Sequence, residues 1–206
     1  GVNVWIATNG GGITRIRDKK FQSFLPENCP QMKSSSFSSL YMNENNELWA
    51  GYNKGVTRFC NEHWTVFQEL NSNKINHSII NEGVWFATDE GLTHNMNSQW
   101  ETLTIQHGLI NNAVNDATVD KNQNIWIGTK EGITLLADGI ARSFTTQDGL
   151  INNDIQCTAV DSSGNVWFGT PAGISVLEGK SWENITQQDG LISNTVTDIE
   201  TDPGGT

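Results

Sequence analysis

The 206 residues include 23 Asp and Glu against 12 Lys and Arg, a formal net charge of −11. That sign repels phosphate backbones and anionic lipid heads, so nucleic acid and membrane insertion are set aside as partners. Eight Trp and eight Phe make the chain too aromatic to remain disordered, and 20 Gly with abundant Asn argue against a helical bundle.

The first predicted element is a strand over Val2–Thr8, carrying Val4-Trp5-Ile6-Ala7-Thr8. The same pattern returns as Leu48-Trp49-Ala50-Gly51-Tyr52, Val84-Trp85-Phe86-Ala87-Thr88, Ile125-Trp126-Ile127-Gly128-Thr129 and Val166-Trp167-Phe168-Gly169-Thr170. The tryptophans are spaced by 44, 36, 41 and 41 residues. Each is followed by a turn and a Gly-aliphatic-Thr/Ser triplet, from Gly12-Ile13-Thr14 to Gly173-Ile174-Ser175. A second tryptophan stands fifteen residues later in three copies, Trp64, Trp100 and Trp182; Phe21 fills the slot in the first copy after a one-residue insertion, and Ala141 is the exception. Short β-branched and aromatic runs, broken by Gly, Asn and Asp, read as about four strands per unit. A period near 41 residues with four strands is the signature of a propeller blade.

Within the fourth unit the four strands, lettered A to D from the axis outwards, are placed at Val114–Asp120, Ile125–Thr129, Ile133–Leu136 and Ala141–Thr145. Along the second of them the Trp and the small residue two places on share one face, a large side chain beside a gap. The turns Asp120-Lys121-Asn122-Gln123-Asn124 and Asp161-Ser162-Ser163-Gly164-Asn165 suit a tight hairpin. The last predicted strand is Val196–Asp202. Since the first is a B strand and the last an A strand, their pairing would complete a fifth blade and hide two sheet edges. The expected fold is therefore all-β: a five-bladed β-propeller of four-stranded antiparallel blades, closed by the terminal strands, forming a single domain over 1–206. The competing expectation is a fragment of a longer array, with Asp202-Pro203-Gly204-Gly205-Thr206 as the hairpin leading onward.

The elements Asp148-Gly149-Leu150-Ile151-Asn152-Asn153, Asp189-Gly190-Leu191-Ile192-Ser193-Asn194 and His107-Gly108-Leu109-Ile110-Asn111-Asn112, joined to the Asp-led hairpin and the Trp strand, resemble the two-component regulator propeller repeat. The first two units carry only the Trp and Gly parts. The resemblance implies an extracytoplasmic sensor propeller, periplasmic or secreted, of the kind found in hybrid histidine kinases, many of which respond to glycans. No kinase segment or apolar run of roughly 18 residues accompanies it, and the first residues lack the basic and apolar parts of a secretion signal.

Candidate site residues are those that the repeat leaves variable on the innermost strands. Two places into strand A stand Ser38, Asn76, Asn115, Gln156 and Thr197; three places in stand Ser39, His77, Asp116, Cys157 and Asp198. One of these rings is expected to face the axis. There Asn76, His77, Asn115, Asp116, Gln156, Thr197 and Asp198 would suit a small molecule or oligosaccharide rich in hydroxyls or amides, or a protein segment. The alternative is that these groups hold water and cap strand ends. The D–A loops and the B–C loops, including Asn53-Lys54 and Lys130-Glu131, are expected on one face.

Other motifs carry less. The four histidines have no metal-site spacing, and Cys29, Cys60 and Cys157 form no C-x-x-C, so no metal, cofactor or disulfide framework is expected. Asp120-x-Asn122-x-Asn124 starts like a calcium loop but lacks its Gly and distal Glu, leaving a hairpin turn. Asn9-Gly10-Gly11-Gly12 precedes a strand rather than a helix and is no phosphate cradle. The outer tryptophans could stack on sugars, but their recurrence favours packing between blades. The chain is thus expected to be a non-enzymatic recognition module, monomeric if the ring closes. The alternatives are a lyase-type propeller resembling streptogramin lyase, with His77 as an acid or base, and a purely structural scaffold.

Overall fold

The computed structural model describes residues 2–43, 45–53, 55–67, 75–80, 83–96 and 99–202. Lys54 and the hairpin residues Pro203 to Thr206, both part of the expectations above, lie outside them. The chain divides into two compact units, Gly1–Ser78 and Ile79–Thr206.

The first unit contains a three-stranded sheet of β1 (Asn3–Ala7), β2 (Ile13–Arg17) and β3 (Lys20–Phe24). A four-stranded sheet follows: β4 (Phe37–Met42), β5 (Leu48–Tyr52), β6 (Gly55–Cys60) and β7 (His63–Phe67). Strand β8 (Ile75–Ile80), through which the division runs, joins β9 (Val84–Thr88), β10 (Gly91–Met96) and β11 (Gln99–Leu103). The second unit adds β12 (Val114–Val119), β13 (Ile125–Thr129), β14 (Gly132–Ala137) and β15 (Ile140–Phe144). Its last sheet is β16 (Cys157–Val160), β17 (Val166–Thr170), β18 (Gly173–Glu178) and β19 (Ser181–Ile185). Neighbouring strands are consecutive in the chain and antiparallel. The fold is all-β, with five sheets that follow the five sequence units.

Two expectations are corrected. Val196–Asp202 forms no strand, and β1 has β2 as its one partner in a three-stranded sheet, so the described sheets contain no closing pair of terminal strands. The segment is nevertheless anchored. Val196 N–H donates to the Thr170 carbonyl at 3.0 Å, as Ile155 does to Thr129 at 2.9 Å, and Thr201 Oγ1 donates to the Val160 carbonyl at 3.1 Å. It lies alongside the last sheet but lacks a second strand to build a ladder on. The loops after β11 and β19 also each contain one 3-10 turn, Ile105–His107 and Gln187–Asp189, where only loop was expected.

The conserved-looking letters of the repeat have local causes. A Cβ on Gly128 would lie 2.6 Å from Ile155 Cγ2, and one on Gly169 2.8 Å from Val196 Cγ1. The small residue two places after the Trp is therefore small because the next innermost segment packs directly on it. Asp120 Oδ1 accepts from the N–H groups of Asn122 and Asn124 at 2.8 and 3.0 Å, while its Oδ2 accepts from Asn124 Nδ2 and Trp126 Nε1 at 2.9 and 3.1 Å. Asp161 repeats all four bonds with Ser163, Asn165 and Trp167. The motif is a turn that captures the indole of its own blade, and its carboxylate oxygens are already saturated by protein donors.

The Asp-Gly-Leu loops are structural in the same way. Asp148 Oδ2 accepts from Thr145 N–H and Oγ1 at 2.8 and 3.2 Å, and Asp189 does so with Thr186. Leu109 and Leu150 are buried, and the next residue donates its N–H to Thr134 Oγ1 or Ser175 Oγ, the hydroxyl of the Gly-aliphatic-Thr/Ser triplet. The Gly-rich turn is also occupied: Gly10 and Gly12 N–H both donate to the Ser35 carbonyl, at 3.0 and 2.7 Å.

The first unit's core runs through Ile13, Met32, Phe37, Leu48 and Phe59, with Trp64 8% exposed. Trp64 lies 5.3 Å from the Phe24 ring and Trp182 5.9 Å from that of Phe144, each on the preceding sheet, so these outer indoles pack between sheets as expected. In the second unit, Trp126, Ile133, Phe144, Leu150, Ile155 and Phe168 form one cluster between its two last sheets.

Candidate functional site

Strands β8 and β12 hold Asn76, His77, Asn115 and Asp116, while Gln156 just precedes β16 and Thr197 and Asp198 lie in the last, strandless segment; a backbone irregularity decides how Asn115 is aimed. In the pairing of β12 with β13, Val114 opposes Thr129 but Asp116 opposes Gly128, so Asn115 is the extra residue of a bulge. Ser38 is the extra residue between β4 and β5, where Phe37 opposes Tyr52 and Ser39 opposes Gly51. A bulge re-aims its side chain and breaks the alternation of faces. The choice between one ring and the other, posed by simple alternation, therefore does not arise in these two strands.

Both bulged side chains reach the backbone at the start of the next sheet. Asn115 Nδ2 donates to the Ile155 carbonyl at 2.7 Å, and Ser38 Oγ donates to the Ile75 carbonyl at 2.6 Å. Asp116, 6% exposed, accepts on Oδ2 from Thr158 N–H at 2.6 Å and Thr158 Oγ1 at 3.1 Å. These bonds cross from one blade to the next. A buried carboxylate is tolerable only with such donors, and Thr158 supplies them.

Around this pair the second unit brings together Asn115, Asp116, Gln156 and Cys157. Gln156 is half-buried and its Nε2 donates to Asp154 Oδ1 at 2.8 Å. Thr197 and Asp198 are exposed on the following segment, and Asp198 Oδ1 accepts from Ile199 N–H at 2.9 Å. Burial pushes the Cys157 thiol up to about 12, and the charges of Asp116 and Asp198 add to the effect. A thiol so held stays protonated at neutral pH and supplies no nucleophile. Asn76, half-buried, and His77, exposed, both sit on β8. Among the described residues no three His, Cys, Asp or Glu side chains converge as a metal site.

Thr158 and Asp154, the partners of Asp116 and Gln156, were not singled out by the sequence because they stand outside the two positions taken as rings, at places filled by Ala117 and Ala113 in the preceding unit. Sequence reasoning also missed the bulge, which leaves no mark in residue type: Ser38 and Asn115 share only a short polar side chain able to donate.

The family model of the two-component regulator propeller matches residues 108–131 and 149–172, the loop, innermost strand and Trp strand of the last two units. None of the curated proteins compared with the chain matches it. Among solved structures, the extracellular domain described as that of a hybrid two-component system of B. thetaiotaomicron is similar at 21% identity with a TM-score of 0.77, over 92% of this chain and 27% of that one. PorZ, a surface component of the type-IX secretion system of Porphyromonas gingivalis, is similar at 13% identity and a TM-score of 0.76, over 96% and 34%. A catalytically inactive virginiamycin B lyase of Staphylococcus aureus, with quinupristin, reaches 0.76 at 14% identity, over 97% and 71%. At these identities the likeness shows the fold, and the chain spans about a third or less of the first two proteins. No helix among the described residues is long and apolar enough to cross a membrane.

Proposed function

Because the chain carries repeats of the two-component regulator propeller, we propose that it is the ligand-recognition part of an extracytoplasmic sensor, working by rigid display rather than by catalysis. The observation that carries this reading is the pair of unlike polar side chains on equivalent positions, half-buried Gln156 and exposed Thr197, in a frame whose other repeated positions are occupied by packing, turn and cross-blade bonds. Side chains free to vary inside a fixed frame are where selectivity resides. The ligand class is a small molecule or oligosaccharide bearing hydroxyls or amides, recognised by Gln156, Thr197 and Asp198 of the second unit.

Calorimetric titration with a panel of neutral oligosaccharides tests it. Gln156→Ala and Thr197→Ala should weaken the binding of a positive oligosaccharide at an unchanged thermal midpoint. Asn115→Ala should lose about 1 kcal/mol of stability, since the Ile155 carbonyl loses its donor. Unchanged affinity in the first two variants would remove the site. The lyase alternative draws on the similarity to virginiamycin B lyase; turnover of a cyclic ester that His77→Ala abolishes would replace the binding reading.

A further inference from the structure

The two last sheets of the second unit enclose, on their outer side, a cleft of about 490 Å³. Trp126, Phe144 and Leu177, each less than a tenth exposed, form its floor, the half-buried Trp182 forms a wall, and Arg142 and Lys180 stand at the rim. Its volume is that of a small-ligand pocket.

Comparison with the other units shows what is unusual. Opposite the blade tryptophan, the third strand carries Arg15, Arg58 and His94 in the first three units, but Leu135 and Val176 in the last two. Each of the three basic residues is paired: Arg15 with Glu62 at 2.5 Å, Arg58 with Glu47 at 3.1 Å and His94 with Glu101 at 3.4 Å. In the fourth unit the cation is displaced one strand outwards, to Arg142, which faces Leu135 across the ladder and lies over the Phe144 ring at 4.7 Å. Among the described residues neither Arg142 nor Lys180 has an ion-pair partner. Asp148, which also lines the cleft, has Oδ2 engaged by Thr145. Two cations and one carboxylate leave a single positive charge above an aromatic floor, in a chain of net charge −11.

The geometry points to a second ligand site here, for a flat ring carrying one carboxylate: an aromatic monocarboxylic acid. The ring packs against the half-buried Trp182, beside the Arg142 guanidinium that lies over Phe144, where stacking and edge contacts favour an aromatic partner. The carboxylate lies between Arg142 and Lys180, in charge-assisted hydrogen bonds. One net positive charge matches a monoanion; a phosphate dianion would also face the Asp148 carboxylate. This site is separate from the innermost strands and does not depend on the sensor reading.

The test uses the chain as it stands, with 2-naphthoate as probe and uncharged 2-naphthalenemethanol as its control, followed by tryptophan fluorescence and calorimetry. The wild type should bind 2-naphthoate saturably, with cross-relaxation in NMR between naphthyl protons and the Trp182 indole. The double variant Arg142→Gln with Lys180→Gln, two exposed positions without ion pairs, should keep its thermal midpoint and lose at least about tenfold in affinity, as expected when both partners of a carboxylate go. No saturable binding at millimolar 2-naphthoate, equal binding of the alcohol, unchanged affinity in the double variant, or contacts mapped away from Trp182 would each overturn the proposal.

Discussion

Asp120→Asn isolates the turn that holds the blade tryptophan. The exchange keeps Oδ1, and with it the bonds from Asn122 and Asn124 N–H, but turns the Oδ2 acceptor into a donor facing Asn124 Nδ2 and Trp126 Nε1. Trp126 is only 6% exposed, so its N–H has little access to water once its partner is gone. A hydrogen bond to a charged group contributes about 1.5–3 kcal/mol and an orphaned buried donor costs about 1–3 kcal/mol, so two such losses with partial rehydration amount to about 2–4 kcal/mol. For a chain of this size that is a fall of roughly 5–15 °C in Tm.

The pH dependence adds a second check on the same variant. Burial opposes ionisation of Asp120, but the bonds from Asn124, Trp126 and Asn122 outweigh it and hold the carboxyl below the ordinary carboxylate range. A folded-state pKa below the unfolded one stabilises fully above the unfolded value, about 3.9, and loses that contribution as pH falls through the folded value. The gap between wild type and Asp120→Asn, followed by near-ultraviolet circular dichroism during thermal unfolding, should therefore be largest at neutral pH and shrink in acid. A midpoint within about 1 °C of wild type at pH 7, or a gap that widens in acid, would refute the assignment of this turn as the indole's anchor.

Two further outcomes test the packing. Gly149 has φ +128° and a Cβ there would lie 2.6 Å from Trp182 Cδ1, whereas Gly190, at φ +117°, has open space around it. Gly190→Ala should thus cost only backbone strain, about 1–2 kcal/mol, and Gly149→Ala about 1–3 kcal/mol more through displacement of the indole; equal urea midpoints would contradict that packing. The second concerns the thiols: with Cys157 pushed up to about 12, its alkylation by iodoacetamide at pH 8 should be far slower than that of the half-buried Cys60 and should accelerate with pH until that value. Peptide mass spectrometry that finds both labelled at one rate would show that Cys157 is neither buried nor beside the two carboxylates.

Much of this molecule is legible in residue order because its determinants are local. The Trp spacing, the Gly two places later, the Asp-led hairpin and the Gly-aliphatic-Thr triplet predicted strands that the sheets reproduce within one or two residues, as in Ile125–Thr129. Each depends on groups a few positions apart, so a pattern of types is enough to specify it. What tertiary structure alone decided involves partners far along the chain: Asn115 on Ile155, Asp116 on Thr158 and Thr201 on Val160, each about one repeat away, and Val196 on Thr170. Val196–Asp202 has strand-like composition yet forms no strand, because a ladder needs a second backbone and composition provides only one. The site follows the same division. That polar residues occupy the first strand positions was evident from the repeat, but that Asn115 and Ser38 bond the neighbouring sheet's carbonyl groups was decided by the bulges and by backbone some forty residues along the chain.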